Sequence, residues 1–311
     1  MAIEFRAARF PPLRDLTVAA PDGAVIGIIG EKGAGKSALL RLAAGFDQPV
    51  SGEVLLKGTR RYLGPADPLD LSQVDLLLIE HTFAQHDALA RAQALVAIDC
   101  LRAARSTVLI VSHELDLLRS LADEVWWLDS GALVRRGDPG EVLEAYHCRI
   151  AEKFRIWAET QSNPLRLSQR RGDGRAELAS LETFGASGQP TMVWQSGEFV
   201  TVRVTARYHE SVDDPVIGIM IRTRIGLDVY GTNTELENLK LGPCAAGSQV
   251  RVNFRFLCGL CPGEYTLTAA SHDRDGTAHD WLDEALAFVV TDSRYTAGVA
   301  NLRATVEMEK L

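Results

Sequence analysis

The octapeptide Gly30-Glu31-Lys32-Gly33-Ala34-Gly35-Lys36-Ser37 constrains this chain more than any other stretch. It follows an apolar run, Ala24–Ile29, and leads into Lys36–Ala44, whose apolar residues recur on one helical face. A GxxxxGK[ST] pattern between a strand and a helix curls the backbone until successive N–H groups converge on one point. The helix that opens there turns its positive pole toward the same point. A phosphate group suits such a place. Gly30, Glu31, Lys32, Gly33, Ala34, Gly35, Lys36, Ser37 and Ala38 are therefore candidate phosphate-binding residues. Lys36 would reach the β- and γ-phosphates of ATP, and the Ser37 hydroxyl would hold Mg²⁺. The competing reading is a glycine-rich turn with an incidental lysine.

The surrounding residues predict alternating strands and helices. Asp75–Ile79 and Thr107–Val111 are short apolar runs of strand length. Ala88–Ala104 and Glu114–Leu121 have helical spacing. Buried strands alternating with helices predict a parallel sheet covered on both faces, an α/β domain. Tyr146–Ala158 is a further helix candidate. Gln161–Gly174, with Asn163-Pro164 and Gly172-Asp173-Gly174, has the composition of a connector. Arg166, Arg170, Arg171 and Arg175 make a local basic cluster, read either as a solvated linker or as a membrane-surface contact.

Beyond Arg175 the period changes to two. Val200, Val202, Val204, Ala206 and Tyr208 alternate with polar residues, as do Val250, Val252, Phe254 and Phe256. Val216–Arg222, Leu227–Tyr230, the Tyr265–Ala269 stretch and Ala285–Val290 add further strands. Short alternating strands divided by Gly, Pro and Asp predict an all-β antiparallel sandwich. The division expected is residues 1–147 for the α/β domain, 148–172 for a linker and 173–311 for the sandwich.

A chain of 311 residues has room for two such cores. Its net charge of −8 argues against sequence-independent nucleic-acid binding, which needs a basic surface. No apolar run is long enough to cross a bilayer as a helix, and the N-terminus lacks the pattern of a signal peptide, so a cytoplasmic location is expected. Five scattered cysteines do not make a disulfide framework. Cys258-Gly-Leu-Cys261 is a lone CxxC, and the sequence offers no second ligand pair at zinc spacing.

Two stretches, GAVIGIIGEKGAGKSALLRLAAGFDQPVSGEVLLKG (Gly23–Gly58) and TVLIVSHELDLLRSLADEVWWLDSGALVRRGDPGEVLEAY (Thr107–Tyr146), resemble ABC-transporter ATPases. The resemblance implies that His113 is the switch histidine that contacts the γ-phosphate. Phe10 stands where the family stacks an aromatic ring on adenine, although a strand-end core residue fits the position equally. The family ends its Walker B strand in Asp-Glu, the Mg²⁺ ligand followed by the residue that polarises water. Here DLLLIEH puts Glu80 and His81 at those places. Glu80 can still serve Mg²⁺, whereas His81 cannot act as an anionic base. Catalysis of phosphoryl transfer rests on positioning and electrostatics, so hydrolysis is expected to be weak or absent. The interval from Lys36 to Glu80 is less than half the family's. The Q-loop, helical subdomain and LSGGQ-type signature are missing, and Leu71-Ser72-Gln73 is only an echo.

The second half resembles the C-terminal domain of ATPases from polysaccharide ABC exporters of the Wzt type. GDGRAEL (Gly172–Leu178), SGEFVTVRV (Ser196–Val204), PVIGIMIRTRIGLDVYGTNT (Pro215–Thr234) and CPGEYTLTAA (Cys261–Ala270) carry the likeness. It implies an Ig-like sandwich that recognises the exported glycan and tends to form a homodimer. Trp194, Tyr208, Tyr230 and Trp281 are candidate sugar platforms, although each fits a sandwich core more readily, and Asn233 is a candidate polar contact or a turn residue. The reading is an ATP-binding component of an O-antigen-like export system, peripheral to the inner face of the plasma membrane and partnered by a transmembrane permease. The alternative is a non-motor, carbohydrate-binding pseudo-ATPase that captures or delivers a glycan. A small-molecule kinase would need an Arg-rich lid, which the sequence does not offer.

Overall fold

The computed structural model describes residues 2–65, 67–68, 70–81, 88–160, 170–294 and 296–309. The chain divides into two compact units between Tyr146 and His147. Arg166 and most of the expected connector lie outside the described residues. Among the described residues no helix is long and apolar enough to cross a membrane.

The first unit contains two sheets. β1 (Ile3–Phe10), β2 (Leu13–Ala20) and β4 (Ser51–Leu56) form an antiparallel sheet in the order β2-β1-β4. The second sheet has the order β5-β6-β7-β3-β8-β9. Its strands are β3 (Val25–Ile29), β5 (Arg60–Leu63), β6 (Leu76–Glu80), β7 (Thr107–Val111), β8 (Glu124–Asp129) and β9 (Ala132–Gly137). All its neighbours are parallel except β8 and β9. The three central strands are buried along their whole length, which is why they read as unbroken apolar runs. α1 (Lys36–Ala44) contributes Leu39, Leu40 and Leu42 to a core shared with Phe5 and Leu16 of the small sheet and Leu78, Leu109 and Trp126 of the large one. Trp126 is fully buried there, as packing at that strand requires. α2 (Ala88–Ala103) precedes β7, α3 (Leu115–Leu121) follows it, and α4 (Pro139–Thr160) runs from the first unit into the second.

Between α1 and β6 the described residues hold β4 and β5 and no helix. No helical subdomain is present among the described residues between α1 and β6, and Leu71-Ser72-Gln73 does not open a helix. Arg61 instead ties down this stretch by binding the Ser72 hydroxyl and the Asp70 carboxylate.

The second unit is a sandwich of two sheets. β11 (Ala176–Phe184), β13 (Phe199–Tyr208) and β16 (Gln249–Leu257) form one, in the order β11-β13-β16. The other runs β10-β18-β17-β14-β15 through β10 (Arg170–Arg171), β18 (Ala278–Thr291), β17 (Gly263–His272), β14 (Val216–Thr223) and β15 (Asp228–Asn233). β12 (Val193–Gln195) joins β18 in parallel. The inward residues Val202, Val204, Ile217, Ile219, Leu267 and Phe288 form one core, and the alternation in the sequence marks its inner face.

Arg170, Arg171 and Arg175 belong to the sandwich instead of a solvated connector. Arg170 pairs with the buried Asp280 at 3.1 Å. Arg171 stacks over the Trp281 ring at 4.3 Å. Arg175 pairs with Asp173 at 2.8 Å and Asp273 at 2.6 Å. A basic cluster in sequence becomes a set of ion pairs once β10 is laid beside β18.

Candidate functional site

The octapeptide leaves the carboxyl end of β3 and curls back into α1. Gly30, Gly33 and Gly35 all have φ in the left-handed region, at 148°, 84° and 101°. A Cβ at Gly30 would drive into the Leu128 carbonyl, and one at Gly35 would sit 2.7 Å from Leu13 Cδ2. Neither glycine can be replaced without moving its neighbours. α1 begins at Gly35 with no side chain capping it and no acid in its first turn. Its first amides thus have no intrahelical partner, and no carboxylate competes for them. Space is open above Gly33.

Lys36 is buried, and its Nζ donates to the carbonyls of Gly30 at 2.6 Å and Glu31 at 2.8 Å. Burial pulls its ammonium below the usual lysine range, while Glu80 and Glu31 pull the other way. The Ser37 hydroxyl donates to one oxygen of Glu80, and the Tyr62 hydroxyl donates to the other. Burial and the Glu80 carboxylate both push the Tyr62 hydroxyl well above its ordinary pKa, so it stays a donor. Tyr62 stacks edge-on against Phe46 at 5.3 Å. The pairing of β5 with β6 sets Tyr62 opposite Leu78, two residues before Glu80, and so brings the hydroxyl within reach.

His81 and His113 leave the adjacent carboxyl ends of β6 and β7, and their rings stack with centroids 4.8 Å apart and planes 10° apart. β3 lies on the other side of β7, so loop, Glu80, His81 and His113 share one edge of the sheet. Phe10 ends β1, half-buried against the core of the first unit. These residues fit a Mg-nucleotide. The open cradle and the uncapped helix suit phosphates, and Ser37 and Glu80 supply the hard oxygen donors that Mg²⁺ prefers. Tyr62 is the member that reading along the chain missed, because a lone Tyr in a short polar strand carries no motif.

The sandwich candidates separate. Trp194 is fully buried, packed on Phe288 at 3.9 Å and Phe256 at 6.0 Å between ring centroids. Tyr208 is also fully buried, its hydroxyl 3.3 Å from Ser271 Oγ, and burial pushes its pKa up to about 12. Tyr230, Asn233 and Trp281 instead line one concavity of about 380 Å³ on the sheet of β14, β15, β17 and β18. Small residues, Gly218, Gly231 and Ala270, lie between them, with His272 and Leu236 beside. The Trp281 Nε1 donates to Asp283 at 2.9 Å, which fixes its ring. The Asn233 side-chain oxygen accepts from the Leu236 amide at 2.7 Å, so it serves a turn at the rim.

The family model of the ABC transporter matches residues 13–119, and that of the Wzt C-terminal domain matches residues 168–302. The methionine import ATP-binding protein MetN of Corynebacterium glutamicum is 23% identical over 76% of this chain and 89% of its own. The O-antigen export system ATP-binding protein RfbB of Myxococcus xanthus is 22% identical over 85% of this chain and 77% of its own. The crystal structure of the C-terminal domain of wzt superposes with a TM-score of 0.44 and 21% identity, covering 51% of this chain and 99% of that one. The chain therefore resembles the Wzt-type ATP-binding subunits, joining a shortened ABC-transporter domain to a Wzt C-terminal domain.

Proposed function

We propose that this chain is an ATP-binding component of an O-antigen-like polysaccharide export system, whose sandwich binds the exported glycan and whose own hydrolysis is weak or absent. The observation that carries the nucleotide half is the cluster of Lys36, Ser37 and Glu80 at the mouth of an uncapped helix. Lys36 would compensate the β- and γ-phosphates, the loop amides would hold their oxygens, and Ser37 and Glu80 would hold Mg²⁺. When bound, the metal would supply neutralisation of the phosphates' charge. His81 in place of a carboxylate supports slow turnover, because position 81 itself carries no anionic group to polarise water.

The glycan half is supported by the match to the Wzt C-terminal domain and by the concave face beneath Trp281 and Tyr230. An aromatic ring beside small residues suits a flat sugar face. The partners in this reading are a membrane-spanning permease at the inner face of the membrane and a second copy joined through the sandwich. The working division is residues 1–147 for nucleotide, a linker that begins at 148, and the sandwich, which takes in β10, for glycan.

Calorimetric titration of Mg-ATP into the full chain and into Lys36→Ala tests the nucleotide reading. Loss of two hydrogen-bonded positive contacts should weaken binding about a hundredfold. Equal affinity would make the loop a relic. A single-turnover rate matching that of a complete ABC ATPase would defeat the claim of weak hydrolysis.

The absence of any helix between α1 and β6 among the described residues favours a second reading, a non-motor protein in which nucleotide occupancy regulates glycan capture. Co-purification with a permease selects the export component. Glycan binding without such a partner selects the second reading.

A further inference from the structure

The geometry points to His81 as a positioning residue: it holds His113 by ring stacking and so gives ATP its advantage over ADP in a site that binds without rapid turnover. This rests on the nucleotide-binding reading above.

Three observations carry it. The His81 backbone has φ of 53°, a left-handed conformation uncommon outside glycine, although histidine enters it more readily than most residues. Its amide donates to the Val111 carbonyl at 3.0 Å, which fixes the end of β6 against the end of β7. Its ring lies 4.8 Å from that of His113 and within 10° of parallel. Glu80, one residue earlier, turns the other way, toward Ser37 and Tyr62. The last two residues of the Glu80-His81 pair thus divide the labour, one facing the cradle and the other facing the histidine that follows β7.

The physical consequence concerns freedom. His113 is exposed on a short turn before α3, where an imidazole has several rotamers available. A flat neighbour in near-parallel contact removes most of them before the ligand arrives, and ordering done in advance is not charged to binding. The resemblance to ABC-transporter ATPases gives His113 the γ-phosphate as its contact. With His113 in that role, ADP, which lacks this group, gains nothing from an ordered His113. A carboxylate at position 81 would instead set a negative charge beside that phosphate. The substitution that deprives the site of a base therefore also furnishes a platform.

The test uses the full chain and the Mg²⁺ complexes of AMP-PNP, a non-hydrolysable ATP analogue, and of ADP, titrated calorimetrically. The readout is the ratio of the two dissociation constants. His81→Phe keeps the flat ring and should keep the wild-type ratio within about twofold. His81→Asn tolerates the left-handed backbone but cannot stack, and should lower the preference for the triphosphate about three- to tenfold. His113→Ala should lower it at least as far, and the double variant His81→Asn/His113→Ala no further. ADP binding by each variant reports that the cradle is intact.

An unaltered ratio in His81→Asn overturns the inference, as does a loss that adds in full to that of His113→Ala. Equal affinity of the wild type for the two nucleotides overturns it while leaving the cradle in place. Failure of the wild type to bind ADP at all removes the underlying reading.

Discussion

The nucleotide loop of the first unit is built of backbone in one continuous octapeptide, whereas the concave face of the sandwich is built of side chains drawn from four strands. In the loop, three glycines at left-handed φ and a helix start make the site, and only Lys36 and Ser37 add side-chain chemistry. On the sandwich face, Trp281, Tyr230 and Asn233 meet only because β18 lies beside β17, β17 beside β14 and β14 beside β15. A backbone site resists change most where a glycine is crowded, as at Gly30 and Gly35. A side-chain site can lose one wall and keep its floor. The two regions should therefore answer substitution differently.

The largest effect is expected in the sandwich core. Trp194→Ala removes a fully buried ring packed on Phe288 and should destabilise the sandwich by about 3–5 kcal/mol. Urea unfolding measures this. If Trp194→Ala instead left stability intact and abolished glycan capture, the assignment of Trp194 to the core would be wrong.

Gly30→Ala probes the backbone site. The added methyl meets the Leu128 carbonyl, and the position demands a left-handed backbone. A cost of about 2–4 kcal/mol to the first unit is expected, together with loss of Mg-ATP binding. Gly33, also left-handed but with open space around it, separates the two causes. Gly33→Ala should cost about 1 kcal/mol, the backbone part alone. Similar losses for both would mean that strain, not the close approach to β8, governs the loop.

Tyr208 sharpens the boundary between core and contact through pH. Burial raises its folded pKa to about 12 from the ordinary 10.0. The unfolded chain therefore releases this proton first as the pH climbs. The contribution to stability is complete below about pH 10 and falls as pH rises through 12, by about 2–3 kcal/mol in total. Tyr208→Phe has no proton to lose, so its stability should decline less than that of the wild type between pH 10 and 12. Parallel alkaline unfolding curves would place Tyr208 in contact with water.

These contrasts explain what could be read from the chain in advance. The loop, β3 and α1 were legible because one short stretch carries backbone, helix start and charge together. α1 runs over the expected Lys36–Ala44. The sandwich strands were legible from their alternation, with β13 and β16 close to their expected spans. Tyr62 was not, because its role depends on the parallel pairing of β5 with β6. Nor was the division among the aromatic candidates. Trp194 and Trp281 each lie in alternating strands, and the pleat of one turns its ring inward while the other turns outward. One residue of register decides the matter, and single-sequence patterns leave register open where both faces carry bulky residues. The stacking of His81 on His113 is a contact between two strand ends, invisible until β6 and β7 are set side by side.

The smallest expected effect decides whether the concave face is a site at all. Trp281 is half-buried, capped by Arg171 and anchored to Asp283, so Trp281→Ala removes part of a wall and no core packing. Its cost to stability should stay within about 1 kcal/mol, the worth of one stacked arginine near the surface. Its cost to glycan affinity should be larger, about tenfold, because a sugar face loses its apolar platform. Affinity of the full chain for an O-polysaccharide chosen by array screening, with the unfolding midpoint beside it, measures both. Trp281→Phe should recover most of the affinity if the platform is what matters. A variant that binds the glycan like the wild type would leave the sandwich with small residues and a rim but no site, and the likeness between loop and face as binding regions would end there.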